Sequence, residues 1–282
     1  MLRADVFGLG RGINGSDLLL SRPPRPRTSP VVSEVALWRR LVAEFLGSAL
    51  LAAVVIGSGI AAQELSPRDT GLELLQNALV TGAGLFALIL IFGALSGAHF
   101  NPVVSAVDAC FGGISWRDAA AYLPAQVAGC VAGAVLANVM FSLRAVSLST
   151  HARASGPHLV SEVVATAGLI LVIFALARNH RSAYTPAAVA AYITAAYFFT
   201  SSTAFANPAI TVGRMCSDTF AGIAPGSVLP FVGAQVLGGA VAVGVLVVLY
   251  PGITPDEAYD VAYPHEDHVD PGASVTPSAA DH

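Results

Sequence analysis

Charged side chains are scarce in this sequence, and lysine is missing altogether. Asp, Glu, Lys and Arg make up 11% of the 282 residues, and all 14 basic residues are arginines. A soluble domain carries about 25% charged residues. With 55% hydrophobic residues and a mean hydropathy of +0.68, the chain is predicted to be an integral membrane protein. Its net charge of −4 gives no indication of nucleic-acid binding.

Cysteine is also rare, and clusters of reactive side chains are missing. Cys110, Cys130 and Cys216 are scattered without a CxxC pair, so neither a disulfide framework nor a metal site is expected, and the thiols are predicted to be buried and inert. The apolar segments contain no Ser/His/Asp set and no phosphate-binding loop. The sequence therefore predicts neither an enzyme nor a bound cofactor. No apolar h-region opens the chain, so a cleaved signal peptide is not expected.

Long apolar segments make up most of the chain. Polar tails over 1–35 and 251–282, the second of them acidic, are predicted to be disordered and to flank a membrane domain over 36–250. The fold class is all-α, with six transmembrane helices. These are predicted near 38–61, 73–95, 117–141, 158–178, 185–201 and 227–250. Gly129 and Gly133 in the third are spaced for close helix packing.

Two apolar loops each run into an Asn-Pro pair, Asn101-Pro102 and Asn207-Pro208. Asparagine is a strong N-cap, and proline is favoured at the first position of a helix, so each pair predicts a helix start. The apolar length that follows is too short for a full span. We therefore expect two re-entrant half-helices at matched places, which is typical of a substrate path through a membrane protein.

The two halves of the membrane domain repeat each other, over about 38–141 and 158–250. Three spans per half is an odd number, so the second half must insert upside down and the half-helices meet near the bilayer middle. Their N-termini would create a positive potential there, which opposes cations but not neutral molecules. The matched pairs beyond the loops are Glu44 with Glu162 and Gln126 with Gln235.

Glu44 and Glu162 are predicted to be the only acidic residues deep in the apolar segments. An intramembrane carboxylate suggests a functional site such as proton coupling. The alternative is that each one accepts N–H groups from the nearby loop, and their symmetry favours this alternative.

These features resemble the aquaporin, or major intrinsic protein, family of channels, over about residues 38–250. The resemblance implies a homotetramer in the plasma membrane, one pore per protomer, no cofactor and no metal. It implies that Glu44 and Glu162 brace the loops and that the asparagine amides donate to passing oxygens. The motif residues are Asn101, Pro102, Val103, Asn207, Pro208 and Ala209. The other expected pore-lining residues of the loops are Gly97, Ala98, His99, Thr203, Ala204 and Phe205. In the family the histidine faces the cytoplasmic half of the pore; the alternative for His99 is a residue that only forms hydrogen bonds within the loop.

The sequence departs from the family at the outer constriction, the selectivity filter. Ile210 stands where the family usually has an arginine, three residues after the second asparagine. Arg214, one helical turn further, would either reach back to the pore or lie on the outer surface. In the first motif, Val103 replaces the usual alanine and adds bulk. Counting from the two asparagines gives a small, neutral filter of Thr81, Ala195, Ala204 and Ile210.

A wide filter without the guanidinium should admit uncharged solutes larger than water, such as glycerol-like polyols, together with water. The resemblance implies metalloid hydroxides such as arsenite as further solutes, because aquaporin-like channels with an arginine-less filter are associated with them. Thr211 stands where glycerol channels usually have aspartate, and this difference weakens the prediction of an ordinary glycerol channel. A water-selective aquaporin is the alternative within the family. An ion-coupled secondary transporter is the alternative from another class.

Arginine placement predicts the orientation. If both termini are cytoplasmic, 10 of the 14 arginines fall on the cytoplasmic side. Cytoplasmic loops of membrane proteins carry an excess of basic residues, so this topology is expected.

Overall fold

The computed structural model describes residues 35–251. Both predicted tails therefore lie almost wholly outside the described residues. Between 35 and 251 the chain is helical, with no strand. Its α-helices are α1 (Leu37–Leu65), α2 (Thr70–Ser96), α3 (Pro102–Phe111), α4 (Trp116–Met140), α5 (Gly156–Arg178), α6 (Thr185–Phe199), α7 (Pro208–Arg214) and α8 (Pro225–Leu249).

Five of these helices, α1, α2, α4, α5 and α8, are long and apolar enough to cross a membrane. The fifth predicted span is shorter than expected, because α6 has 15 residues and is about 22 Å long. A 3-10 turn at Ser182–Tyr184 precedes it. It ends at Phe199 because Thr200 adopts an extended backbone and leads the chain into the second re-entrant loop.

Small residues bring the long helices together in the same way in both halves. A Cβ atom at Gly133 of α4 would lie 2.0 Å from the carbonyl oxygen of Ala49 on α1. A Cβ atom at Gly238 of α8 would lie 2.6 Å from the carbonyl oxygen of Val163 on α5. The close packing predicted for Gly133 is therefore confirmed, and α5–α8 repeats the α1–α4 contact. The helices α2 and α6 join the two halves.

The half-helices α3 and α7 begin at the two Asn-Pro pairs, as predicted. Asn101 Oδ1 accepts the N–H of Val103 at 3.0 Å, and Asn207 Oδ1 accepts the N–H of Ala209 at 2.9 Å. Both asparagines have extended backbones, and proline follows each at the first helical position.

The half-helices enter from opposite faces of the fold. The end of α3 leads directly into the start of α4. The segment after α7 instead bonds to the loop that leaves the end of α4, with the N–H of Ser149 donating to the carbonyl of Met215 at 3.0 Å. We call these the α3 face and the α7 face.

Of the three cysteines, two are buried as predicted, and none forms a disulfide among the described residues. Cys110 of α3 is exposed, so the prediction of a buried thiol is wrong there. It lies one residue before the end of the half-helix, beyond the packed part of α3.

Candidate functional site

The two re-entrant loops share an unusual backbone. Ala98 and Phe100 in the first loop have φ values of 48° and 49°, and Ala204 and Ala206 at the equivalent positions have 46° and 48°. Non-glycine residues rarely adopt this left-handed region, so both loops need strong external support.

Glu44 supports the first loop from α1. Its carboxylate accepts the N–H of His99 at 3.0 Å and the N–H of Phe100 at 2.7 Å. It also accepts the Ser96 hydroxyl at 2.6 Å and Gln126 Nε2 at 2.8 Å. Four donors satisfy this fully buried charge, which is how a buried carboxylate becomes tolerable.

Glu162 supports the second loop from α5 in the same way. It accepts the N–H groups of Phe205 and Ala206, both at 2.9 Å, and Gln235 Nε2 at 2.6 Å. Both glutamates thus make the contacts expected of loop braces, and their oxygens are occupied by these donors.

The asparagine side chains tie the two loops together. Asn101 Nδ2 donates to the carbonyl of Ala206, and Asn207 Nδ2 donates to the carbonyl of Phe100, each at 2.7 Å. An amide group carries two N–H bonds, and the oxygen of each already caps its helix. Each asparagine therefore keeps one N–H for the cavity that both of them line.

A cavity of about 360 Å³ runs past both loops. Thr203 is not part of its wall, contrary to expectation. The hydroxyls of Thr200 and Ser202 accept the Ala204 N–H at 3.1 and 3.2 Å. Ala204 is the first residue of the second loop that lines the cavity. The loop residues predicted to line the pore that do form the wall are Gly97, Ala98, His99, Asn101, Ala204, Phe205 and Asn207.

The remaining motif residues, Pro102, Val103, Pro208 and Ala209, lie behind this wall. Val103 does not narrow the cavity, because its side chain packs onto Gly239 of α8, where a Cβ atom would lie 2.5 Å from Val103 Cγ1. The valine is thus accommodated by the absence of a side chain at Gly239.

Three of the four predicted filter residues line the cavity, and the fourth does not. Thr81, Ala204 and Ile210 all line the cavity. Ala195 does not, since it is exposed on the outer side of α6. Its place is taken by Tyr197, whose hydroxyl lies 3.1 Å from Thr81 Oγ1.

The error at Ala195 has a geometric cause. The residues of α6 that line the cavity are Thr185, Pro186, Val189, Ile193 and Tyr197. Ala195 lies two positions before Tyr197 and therefore points about 200° away from it. Counting back from Asn207 crosses an irregular segment, so it misses the register of the helix. The four-residue spacing of the large residues was the available signal.

Arg214 reaches back to the cavity, and the outer-surface alternative is wrong. Its side chain is 2% exposed and lines the cavity. Its guanidinium carbon lies 3.4 Å from the centre of the Phe205 ring, and Nε donates to the carbonyl of Ala221. Within residues 35–251 neither terminal nitrogen has a hydrogen-bond partner, so the cavity has a cationic donor at its α7 face.

His99 lines the cavity, but its ring nitrogens are engaged elsewhere. Nδ1 lies 3.0 Å from Ser105 Oγ, and Nε2 lies 3.4 Å from Asp108 Oδ2. Asp108 of α3 is fully buried, so the expectation that Glu44 and Glu162 are the only deep acidic residues is wrong. A carboxylate within an apolar half-helix was the signal that we overlooked.

The two loops at the α7 face are also tied together. Asp218 Oδ1 accepts the backbone N–H of Thr150 at 2.8 Å and its hydroxyl at 3.1 Å. These bonds, the backbone one foremost, lower the pKa of the Asp218 carboxyl. Arg153 Nε donates to the carbonyl of Gly222 at 2.7 Å, and burial lowers the pKa of this guanidinium.

Two capped half-helices that meet beside one cavity are the arrangement of a membrane channel of the six-helix, inverted-repeat class. The chain matches the model of the major intrinsic protein family over residues 31–201. It belongs to that family. It is a passive channel for small uncharged solutes and not an enzyme.

Individual relatives agree with this assignment. Aquaglyceroporin AqpS of Rhizobium meliloti (strain 1021) is 48% identical over 215 residues, which are 76% of this chain and 91% of that protein. The glycerol uptake facilitator protein of Streptococcus pneumoniae (strain ATCC BAA-255 / R6) is 29% identical over 154 residues, 50% of this chain and 65% of that protein. The X-ray structure of the aquaglyceroporin from Plasmodium falciparum is similar in fold. Its TM-score is 0.60 and its sequence identity 21%, covering 77% of this chain and 99% of that one.

Proposed function

We propose that this channel passes glycerol-like polyols and uncharged metalloid hydroxides such as arsenite, together with water. The observation that carries the proposal is Ile210, a buried neutral residue on the cavity wall at the position where the family usually has an arginine. Removing a guanidinium from this position leaves room for solutes larger than water. Two relatives, an aquaglyceroporin and a glycerol uptake facilitator, support the same solute class.

The wall carries both hydrogen-bonding and apolar groups, which suits a solute that has hydroxyl groups on an apolar skeleton. Thr81 and the free N–H of each asparagine offer hydrogen bonds, while Ile210 and Leu51 are apolar. A hydroxylated solute loses its water on entry, so these polar groups must replace the lost hydrogen bonds. The terminal nitrogens of Arg214, which have no hydrogen-bond partner within residues 35–251, add two further donors.

Exclusion of ions follows from the arrangement of the half-helices. The N-termini of α3 and α7 carry partial positive charge and meet where Asn101 and Asn207 lie. A water molecule whose oxygen accepts from both asparagine amides would point its hydrogens away from them, along the single file of water molecules in the pore. This orientation interrupts the chain of hydrogen bonds that proton transfer needs. Arg214 would oppose cations a second time at the α7 face, from one turn beyond the usual position.

We extend the proposal to the orientation of the channel in the membrane and to its oligomeric state. Ten of the 14 arginines fall on one side when both termini are placed in the cytoplasm, which makes the α3 face cytoplasmic and the α7 face external. The family suggests a homotetramer in the plasma membrane. Size-exclusion chromatography with light scattering would test the tetramer.

Stopped-flow light scattering on proteoliposomes tests the solute class. An osmotic shift with an impermeant sugar reports water flow, and shifts with glycerol or arsenous acid at neutral pH report solute entry through reswelling. Wild type would run beside Ile210→Arg, with Ile210→Val as the matched control. We expect rapid solute-driven reswelling that arginine abolishes and valine retains.

The other outcomes identify the alternatives. Fast water flow without solute entry would overturn the proposal in favour of a water-selective aquaporin. Neither flux, in protein that is folded by size-exclusion chromatography, would favour an ion-coupled transporter, which imposed sodium and proton gradients would then reveal.

A further inference from the structure

Asp108 is a buried carboxylate that the proposed function does not use. Its side chain is fully buried in α3, and neither of its oxygens has a hydrogen-bond partner among the described residues. The group that faces it is His99 Nε2, at 3.4 Å. An isolated buried charge is costly, so the state of His99 decides whether this carboxylate is tolerable.

The other ring nitrogen of His99 fixes where the protons lie. Nδ1 lies 3.0 Å from Ser105 Oγ. The Ser105 hydroxyl donates to the carbonyl of Asn101 at 3.2 Å and accepts Gln126 Nε2 at 3.0 Å. With the single hydroxyl proton of Ser105 directed to the Asn101 carbonyl, Ser105 Oγ accepts from His99, and we assign a hydrogen to Nδ1.

A second proton on Nε2 then makes His99 an imidazolium that faces the Asp108 carboxylate. A close opposite charge in a poorly solvated environment favours this charged state. The other groups that face the ring are Glu44 and Arg40 from α1 and the Tyr122 ring from α4, with ring centres 5.6 Å apart. Glu44 supports the positive ring and Arg40 opposes it.

This pairing turns both nitrogens away from the solute path. His99 lies on the cavity wall, yet Nε2 is buried against Asp108 and Nδ1 is bound to Ser105. We propose that Asp108 is a positioning residue that holds the His99 ring and its proton out of the pore. Solute passage in the wild type is then insensitive to pH. The inference rests on the proposed function, because solute flux reports it.

In the second half of the chain, the position equivalent to His99 holds an aromatic ring that does not titrate. Phe205 stands where His99 stands in the first loop, and Arg214 stands where Asp108 stands. There the charged group lies over the ring face, 3.4 Å from its centre. Replacing His99 by phenylalanine therefore has a precedent within this fold.

The experiment is the pH profile of glycerol reswelling between about pH 5.5 and 8, with the same buffer on both sides of the vesicle. In Asp108→Leu the ring loses its partner and is free to turn into the pore as a cation. We expect its flux to fall about threefold as the pH is lowered through about 6 to 7, where unpaired histidines titrate. Wild type and the conservative Asp108→Glu should stay level.

Controls separate this role from a purely structural one. The double variant His99→Phe with Asp108→Leu should be insensitive to pH again. Asp108→Asn serves as the second test if the leucine variant does not fold. Its neutral amide does not balance an imidazolium, so its flux should also fall as the pH is lowered. A level pH profile in folded Asp108→Leu or Asp108→Asn would overturn the inference.

A spectroscopic measurement makes the inference independent of flux. In ¹⁵N-histidine-labelled protein, the signals that disappear in His99→Phe belong to His99. Both of its nitrogens should be protonated in the wild type at about pH 7.5, and one of them deprotonated in Asp108→Leu. A wild type that passes no solute would contradict the proposed function alone. A neutral His99 in the wild type would contradict the role of Asp108.

Discussion

Asp108 and Arg214 occupy the same position in the two halves of the chain, seven residues after the asparagine of each re-entrant loop. Both side chains are buried, and each contacts the ring that lies two residues before its asparagine. Asp108 pairs with His99, and Arg214 stacks on Phe205. One position of the repeat therefore carries opposite charges at the opposite faces of the channel.

Arg214→Gln is expected to increase the cation leak through the channel. Among the described residues that line the cavity, Arg214 is the only arginine. Its loss removes an electrostatic barrier, and each ~1.4 kcal/mol of barrier changes a rate tenfold. We expect a leak about tenfold faster, measured as dissipation of a potassium diffusion potential in proteoliposomes.

Arg153→Gln is the matched control for this variant. Its guanidinium also lies over the Phe205 ring, at 5.4 Å, but Arg153 is not part of the cavity wall. Equal leaks in the two variants would contradict a role for Arg214 in excluding cations.

Glu44→Gln is expected to destabilise the protein. The amide presents one acceptor oxygen where the carboxylate has two, and its N–H₂ group faces the donors of the first loop. Hydrogen bonds to a charged group contribute about 1.5–3 kcal/mol each, so a loss on the order of 3 kcal/mol is expected. The measurement is thermal unfolding in detergent, with the exposed Glu64→Gln as control. Equal unfolding temperatures would show that the loop holds its left-handed backbone without this brace.

The parts of the fold that the sequence predicted are those with a local signal repeated in both halves. Asn-Pro marks each half-helix start, and Glu44 with Glu162 marks the symmetric braces. The prediction that Ala195 lines the filter was wrong because it depended on counting through a segment that has no regular geometry. The side chain of Arg214 has several rotatable bonds, so only packing against Phe205 decides where it points.

The sequence marks Asp108 as a carboxylate in an apolar half-helix, but it does not show that this residue pairs with His99. A half-helix is too short for its pattern to show which side is buried. The pairing with His99 joins a loop to a helix through tertiary contact. Comparing the two repeats position by position would have flagged the residue, since Asp108 and Arg214 align.

Gly133→Ala is expected to destabilise the α1–α4 contact. The added methyl would meet the carbonyl oxygen of Ala49, which belongs to the backbone and cannot turn away. Overpacking of this kind costs about 1–3 kcal/mol. Gly244→Ala on the exposed side of α8 has no atom within 4 Å and should be neutral or slightly stabilising. Thermal unfolding of the pair measures the difference, and equal stability would mean that α1 and α4 can separate without cost.

The tie between Asp218 and Thr150 is expected to break in acid. The Thr150 N–H and hydroxyl lower the pKa of Asp218 because they bind its ionised form. A group whose pKa is lowered in the folded state stabilises it only when ionised. The tie should therefore be complete above about pH 4 and lost as the pH falls through the lowered pKa.

Hydrogen–deuterium exchange at the Thr150 amide measures this tie directly. After correction for the intrinsic exchange rate, protection should be level from about pH 6 to 4 and should fall below that. In Asp218→Asn the amide oxygen accepts more weakly than a carboxylate, so protection should be lower and should no longer change with pH. Because Asp218 is exposed, the rest of the fold should keep its protection. Unchanged protection at Thr150 in acid would mean that the two loops are held by the Ser149–Met215 backbone bond instead.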